Sequence, residues 1–141
     1  MKTLMMLTLA AAISTTAVAR DRYFSDAHRH RTVDLAPVAV RYVESLRNEN
    51  EGVVRSALAH ATWMKLMVPE RAFPGLQAEI SSLVVAGSTP EIRYRASLAS
   101  LVYERPALFV GESTKDFEDG DEMFASVARR VSFSMLEKGS H

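Results

Sequence analysis

From Asp34 to the end of the chain, apolar residues recur at three- and four-residue spacing. That rhythm lays one face of an α-helix against a core, whereas a half-buried strand would alternate strictly, and no segment does. Five helical stretches are predicted. The first covers 35–47 with Asp34 as N-cap, Pro37 tolerated in its first turn, and Leu35, Val38, Ala39, Tyr42 and Leu46 on one face. The second follows Asn48-Glu49-Asn50 and runs to Val68, where Pro69 stops it. Its inward positions are Val54, Ala57, Leu58, Ala61, Met64 and Val68, and Trp63, Leu66 and Met67 widen that face until the helix reads as buried on two sides. The third spans 75–86 with Leu76, Ile80, Leu83 and Val84 inward, and Gly87 offers a left-handed terminus. The fourth opens on Thr89 as N-cap, Pro90 at the first helical position and an acid after it, and carries Ile92, Ala96, Ala99 and Tyr103 on one stripe before Pro106. A short apolar turn at 107–110 and a polar loop at 112–119 follow. The fifth helix starts at the capping-box pair Asp119 and Glu122 and runs to about 137, with Phe124, Val127, Ala128, Val131 and Met135 inward.

The chain begins differently. Lys2 is followed by an apolar run at 4–13, broken only by Thr8, and then by small residues ending Ala17-Val18-Ala19. A positive start, a short apolar stretch and an A-x-A site are the marks of an export signal, read by a peptidase whose subsites admit only small side chains. The run is shorter than the ~20 residues a bilayer crossing needs. Cleavage after Ala19 is therefore expected, with a polar, basic lead at 20–33 that is flexible and a single domain at 34–138. No cysteine follows the site to take a lipid. Of the 141 residues, 122 then remain, a single-domain length.

Charge narrows the classes further. Seventeen basic residues balance seventeen acidic ones, and loss of Lys2 leaves the mature chain near −1. Neither nucleic acid nor an acidic membrane surface has an electrostatic reason to bind it, and no segment remains that would insert into a membrane. The absence of cysteine excludes disulfide scaffolds, thiol redox chemistry, cysteine-ligated zinc and cysteine nucleophiles. An exported small domain without disulfides must rest on its core alone.

Helices one and two also look like helices three and four. A shift of forty residues lays Glu51-x-x-x-Arg55-x-x-Leu58-Ala59 on Glu91-x-x-x-Arg95-x-x-Leu98-Ala99, with Val43 on Leu83 in the preceding helices. Glu and Arg four apart support their own helix by a few tenths of a kcal/mol, and the small residue lets a neighbouring helix come close. A unit of two helices recurring every ~40 residues resembles the HEAT class of α-solenoid repeats. The chain, with its signal, is similar to short exported HEAT-like proteins of bacteria. The resemblance covers 34–106 and implies an all-α fold of two antiparallel helix pairs stacked HEAT-like, with a C-terminal capping helix. It implies a binding surface and carries over no catalytic residue.

Tests for chemistry return little. His28 and His30 with Asp26 form a weak metal pattern in the lead, too loose to be preorganised. His60 has no Asp or Glu at relay spacing. The acids at 116–122 invite calcium but fail the EF-hand template, since position six is Asp121 and position twelve Val127. Nucleotide-loop, hydrolase-elbow and zinc-protease motifs are absent, and Arg93-Tyr94-Arg95 alone is no nucleic-acid patch. The expectation is a non-enzymatic protein- or peptide-binding module outside the cytoplasm, without cofactor or metal. A homo-oligomer stays open. In HEAT arrays the second helix of each pair lines the concave face, which makes Arg55, Arg93 and Arg95, with His60 at the edge, the expected exposed contacts for a partner bearing acidic groups. The alternatives are a periplasmic holdase or stress protein, whose Leu-Thr-x-x-Gln repeats are missing, and more remotely a carboxylate-based hydrolase, which would need facing acids. If the export reading holds, mass spectrometry of the exported form finds a chain starting at Arg20. A membrane-bound product retaining 1–19 would refute it.

Overall fold

The computed structural model describes Phe24 and residues 34–140. The expected signal at 1–19, the rest of the lead and the Asp26, His28 and His30 group lie outside the described residues.

Five α-helices make up the domain: α1 (Ala36–Leu46), α2 (Glu51–Met67), α3 (Pro74–Ala86), α4 (Pro90–Glu104) and α5 (Gly120–Lys138). Two 3-10 turns, Pro106–Phe109 and Glu112–Thr114, lie between α4 and α5, and no strand occurs among the described residues. Short links force α1 against α2 and α3 against α4. The two hairpins then stack first helix on first helix, α1 with α3, and second on second, α2 with α4. This is the all-α arrangement of stacked pairs that the forty-residue period predicts. The apolar repeat positions behave alike: Leu58 and Leu98, Ala59 and Ala99 are all buried. The fifth helix caps the stack on its α2 and α4 side, with the Pro106–Phe109 turn beneath it.

Helix starts follow the capping logic closely. Asn50 Oδ1 accepts from the Gly52 and Val53 amides at 2.9 and 3.4 Å, and Thr89 Oγ1 accepts from Ile92 at 3.2 Å. At α5, Asp119 Oδ1 takes the Glu122 amide at 2.9 Å, while Glu122 reaches back one residue further than the standard box, to the Glu118 amide at 2.6 Å. Three expectations are corrected. Leu35, not Asp34, occupies the α1 cap, because its buried side chain anchors that turn; Asp34 instead accepts from the Ala36 amide at 3.0 Å. Gly87 is not left-handed (φ −56°). It is glycine because α3 and α4 meet there, and a Cβ would lie 2.7 Å from the Leu83 carbonyl and 2.9 Å from Ile92 Cγ2. The left-handed glycine is Gly111, at φ 98° between the two 3-10 turns. The third concerns α5, whose last turns run past the core and leave Met135 exposed with Phe133 and Leu136.

The centre of the domain is α2. It touches α1, α4, α5 and both 3-10 turns, and Ala57, Leu58, Ala59, Ala61, Thr62, Trp63, Met64, Lys65 and Leu66 are all buried. Alanines keep the helix thin enough for neighbours to close in. Two of its buried polar side chains are satisfied locally, while the buried Trp63 indole N–H has no hydrogen-bond partner among the described residues. Thr62 Oγ1 donates to the Leu58 carbonyl at 2.7 Å. Lys65 Nζ donates to the carbonyls of Pro69 (2.9 Å) and Arg71 beyond the helix end, above the Tyr103 ring. Burial lowers the Lys65 pKa, and the Glu70 carboxylate partly restores it. Phe24, inside the segment read as a flexible lead, is buried against the ring of His60 (centroids 5.3 Å apart) and that of Trp63 (5.0 Å), and Phe117 meets Trp63 edge-on. The link between the second helices is Tyr103, whose hydroxyl donates to the Ala61 carbonyl at 2.8 Å.

Burial pushes the Tyr103 phenol well above its ordinary value of 10.0, and the nearby Tyr42 adds to the shift. A raised folded-state pKa contributes stability that is complete below the unfolded value and is lost as pH climbs above it. At neutral pH, Tyr103→Phe should cost about 1 kcal/mol for the lost hydrogen bond. Above about pH 10 the unfolded wild-type phenol ionises and the native one does not, so the wild-type advantage should shrink by up to about 1.4 kcal/mol per pH unit and then reverse. Denaturant titrations of both proteins from pH 7 to 11 check this; parallel stability curves would contradict it.

Candidate functional site

Because α5 lies over α2 and α4, the face that an open array would expose is mostly covered. What remains open is the N-terminal half of α2, with a cleft on each side of it. Gly52 and Ser56, one turn apart, form the low ridge shared by both. Gly52 has a local reason as well, since a Cβ there would stand 3.1 Å from the capping Asn50 Oδ1.

The first cleft, about 220 Å³, lies between α2, α4 and the start of α5. Arg55, Ala59 and Arg95 line one side, and Asp119, Gly120 and Asp121 the other. Arg95 is fixed there. Its Nη2 bonds Glu91 Oε1 at 2.6 Å and Asp121 Oδ1 at 2.8 Å, and its guanidinium sits 5.5 Å from the centre of the Phe124 ring. Only 15% of its side chain reaches solvent. Arg55 differs: it is 48% exposed, and its one ion pair among the described residues, with Glu91 Oε2, spans 3.6 Å. A pair that long and that exposed contributes little, and it leaves most of the guanidinium fork available. The lining holds two arginines and two aspartates, with Glu91 behind them, so the cleft is close to charge balance.

The second cleft, about 380 Å³, lies between α1 and α2. Tyr42 and His60 supply two nearly parallel rings, 12° apart in plane and 6.2 Å between centroids. Val53 and Ala57 add apolar surface, and Ser45, Asn50 and Ser56 add polar groups.

The four residues expected to contact a partner thus separate. Arg55 and Arg95 meet in the first cleft and His60 lines the second. Arg93 joins neither, because its Nη1 donates to the Gly87 carbonyl at 2.7 Å and ties the end of α3 to α4. Of the three arginines expected to be exposed, only Arg55 is. The expected Glu51–Arg55 pair is also replaced: Glu51 accepts from Ser88 Oγ at 3.2 Å, and Arg55 turns to Glu91 of the neighbouring hairpin. Glu91–Arg95 forms as the spacing predicts.

The stretch read as a polar loop contains a buried network that spacing did not reveal. Glu112 is buried beside Ser126 of α5. Ser126 Oγ donates to Glu112 Oε2 at 2.6 Å, and Lys115 Nζ donates to both Glu112 oxygens (2.8 and 3.0 Å) and to Ser126 Oγ (2.8 Å). A serine beside a lysine resembles a nucleophile and its base. Here Ser126 is sealed at 2% exposure and the Lys115 ammonium is spent on the carboxylate, so the group fastens the loop to α5. The acids at 116–122 have structural tasks too: Asp119 and Glu122 cap α5, and Asp121 holds Arg95. Among the described residues, no group of three or more His, Asp or Glu is placed to hold a metal ion, and no helix is long and apolar enough to cross a membrane.

Comparison with family models, with curated proteins and with solved structures returns no match to this chain.

Proposed function

We propose that this protein is a non-enzymatic binding module that acts outside the cytoplasm and takes a protein or peptide partner at the cleft between α2, α4 and α5. One observation carries the reading: Arg55 stands half-exposed at the mouth of a 220 Å³ cleft whose other cation, Arg95, is locked in place. A locked wall with one underused planar donor suits recognition of a single carboxylate on a partner. Charge balance in the lining argues against a strongly acidic partner and for one that pairs a carboxylate with polar or basic neighbours near Asp121. Export, through the signal at 1–19, supplies the compartment. The HEAT-like stack supplies a rigid frame.

A second reading has its own support. Phe133, Met135 and Leu136 stand 61%, 67% and 71% exposed on the last turns of α5, and an exposed apolar patch is what a holdase offers to unfolded chains. Suppression of the aggregation of a denatured test protein, abolished by Phe133→Ser with Leu136→Ser, would favour it.

The two roles of arginine make the main reading testable. Arg55→Gln should leave helicity and melting temperature within error and lose the partner captured from envelope extract. Arg95→Gln should instead lower stability, since it leaves Glu91 and Asp121 facing each other without their shared cation. Capture that survives Arg55→Gln would move the site elsewhere.

A further inference from the structure

We propose that the cleft between α1 and α2 is a second site, which binds one ring of an uncharged saccharide. This goes beyond the reading of the Arg55 cleft, from which it is separated by the Gly52 and Ser56 ridge.

Chemistry of the lining selects the ligand class. Among the described residues, no Asp, Glu, Lys or Arg lines this cleft. A phosphate, carboxylate or ammonium ligand would enter without a counter-charge and give up hydration for nothing. Among the described residues, four neutral polar groups around it have no protein hydrogen-bond partner: the hydroxyls of Tyr42, Ser45 and Ser56, and the amide nitrogen of Asn50, whose oxygen is taken by the α2 cap. A purely apolar ligand would bury them unpaired, at a cost for each. Burial raises the Tyr42 pKa, so this hydroxyl stays a neutral donor and acceptor at physiological pH. The remaining lining is ring and aliphatic surface from Tyr42, His60, Val53 and Ala57. Apolar walls with a few convergent polar groups make the usual form of a small-ligand site, and about 380 Å³ lies within the usual size range.

A sugar ring meets both halves of that description at once. Its C–H faces lie on aromatic and aliphatic surface, while hydroxyls around its rim donate and accept in turn, as the serine and tyrosine hydroxyls do. A peptide chain offers hydroxyls only through particular side chains and needs an extended groove. This cleft is bounded instead by the α1–α2 turn, where Asn48 Oδ1 takes the Asn50 amide at 2.8 Å. His60 is also fixed from behind by the edge of Phe24, so the ring wall is in place before a ligand arrives.

The test needs no protein partner, so its failure and that of the Arg55 reading are separable. The full mature chain is screened on an array of neutral and acidic glycans, and hits are titrated by calorimetry. Neutral glycans should bind, and an acidic counterpart of the same ring no better. The double variant Ser45→Ala with Tyr42→Phe, which lies wholly on α1 and keeps the ring, should weaken binding at least tenfold. Val53→Trp, which fills the cleft from the ridge side, should abolish it. Circular dichroism confirms that each variant is folded. No binding to any neutral glycan, affinity unchanged in the double variant, or occupation of the cleft by a neutral tetrapeptide panel in place of sugars would each overturn the proposal.

Discussion

Ten of the seventeen residues of α2 are out of solvent, and a helix covered on that scale has little room for bulk or unpaired polarity toward its neighbours. Its sequence meets both demands except at Trp63, whose buried indole N–H has no hydrogen-bond partner among the described residues. Alanine at 57, 59 and 61 lets other helices approach closely, while Leu58, Met64 and Leu66 fill the spaces between them. Thr62 turns its hydroxyl onto its own helix, and Lys65 carries its charge past the end of the helix to carbonyls that need a donor. Apart from α3, which packs on α1 and α4, every other element is placed by what it covers on α2. The first hairpin covers it with α1, the second with α4, and the chain end with α5 and two 3-10 turns. Without a disulfide, this shared buried surface is what makes the pieces one cooperative unit.

The same constraint places the openings. Burial is densest from Ala57 onward, where α5 and the turns close over the helix, and the first two turns of α2 are left less covered. Both clefts lie there and share Gly52 and Ser56. Because α5 packs over α2 and α4, the openings are pushed toward one end of α2. Arg93 and Arg95 accordingly work inside the fold, and Arg55 remains at its edge.

How legible this was in the sequence depended on the range of the interaction. Helix starts at Thr89 and Asp119 are readable because a cap is decided within four residues, and the start of α2 because a polar break precedes it. Leu58, Ala96 and Ile80 were readable because their spacing marks a core face, and the hairpin pairing because forty residues separate its copies. Contacts across the chain were not. Nothing local shows that Glu112 lies against Ser126, that Phe24 fills a place beside Trp63, or that Arg55 prefers Glu91 to Glu51. Met135 shows the reverse failure: its spacing continues the apolar stripe of α5, but the core stops before the helix does. At Gly87 the residue type alone does not distinguish a left-handed turn from the close approach of α3 and α4 that the structure shows. Of the candidate contacts, residue type and helix were visible, but not which arginine remained available.

Amide hydrogen exchange followed by mass spectrometry tests the organising role of α2 most directly. If that helix is the element on which the others depend, amides of residues 57–66 exchange only through global unfolding, with a protection free energy equal to the denaturant-derived stability of the whole domain. The exposed end of α5, from Phe133 onward, exchanges orders of magnitude faster. Exchange of 57–66 at free energies well below global stability, or slower protection in α3 than in α2, would contradict the account.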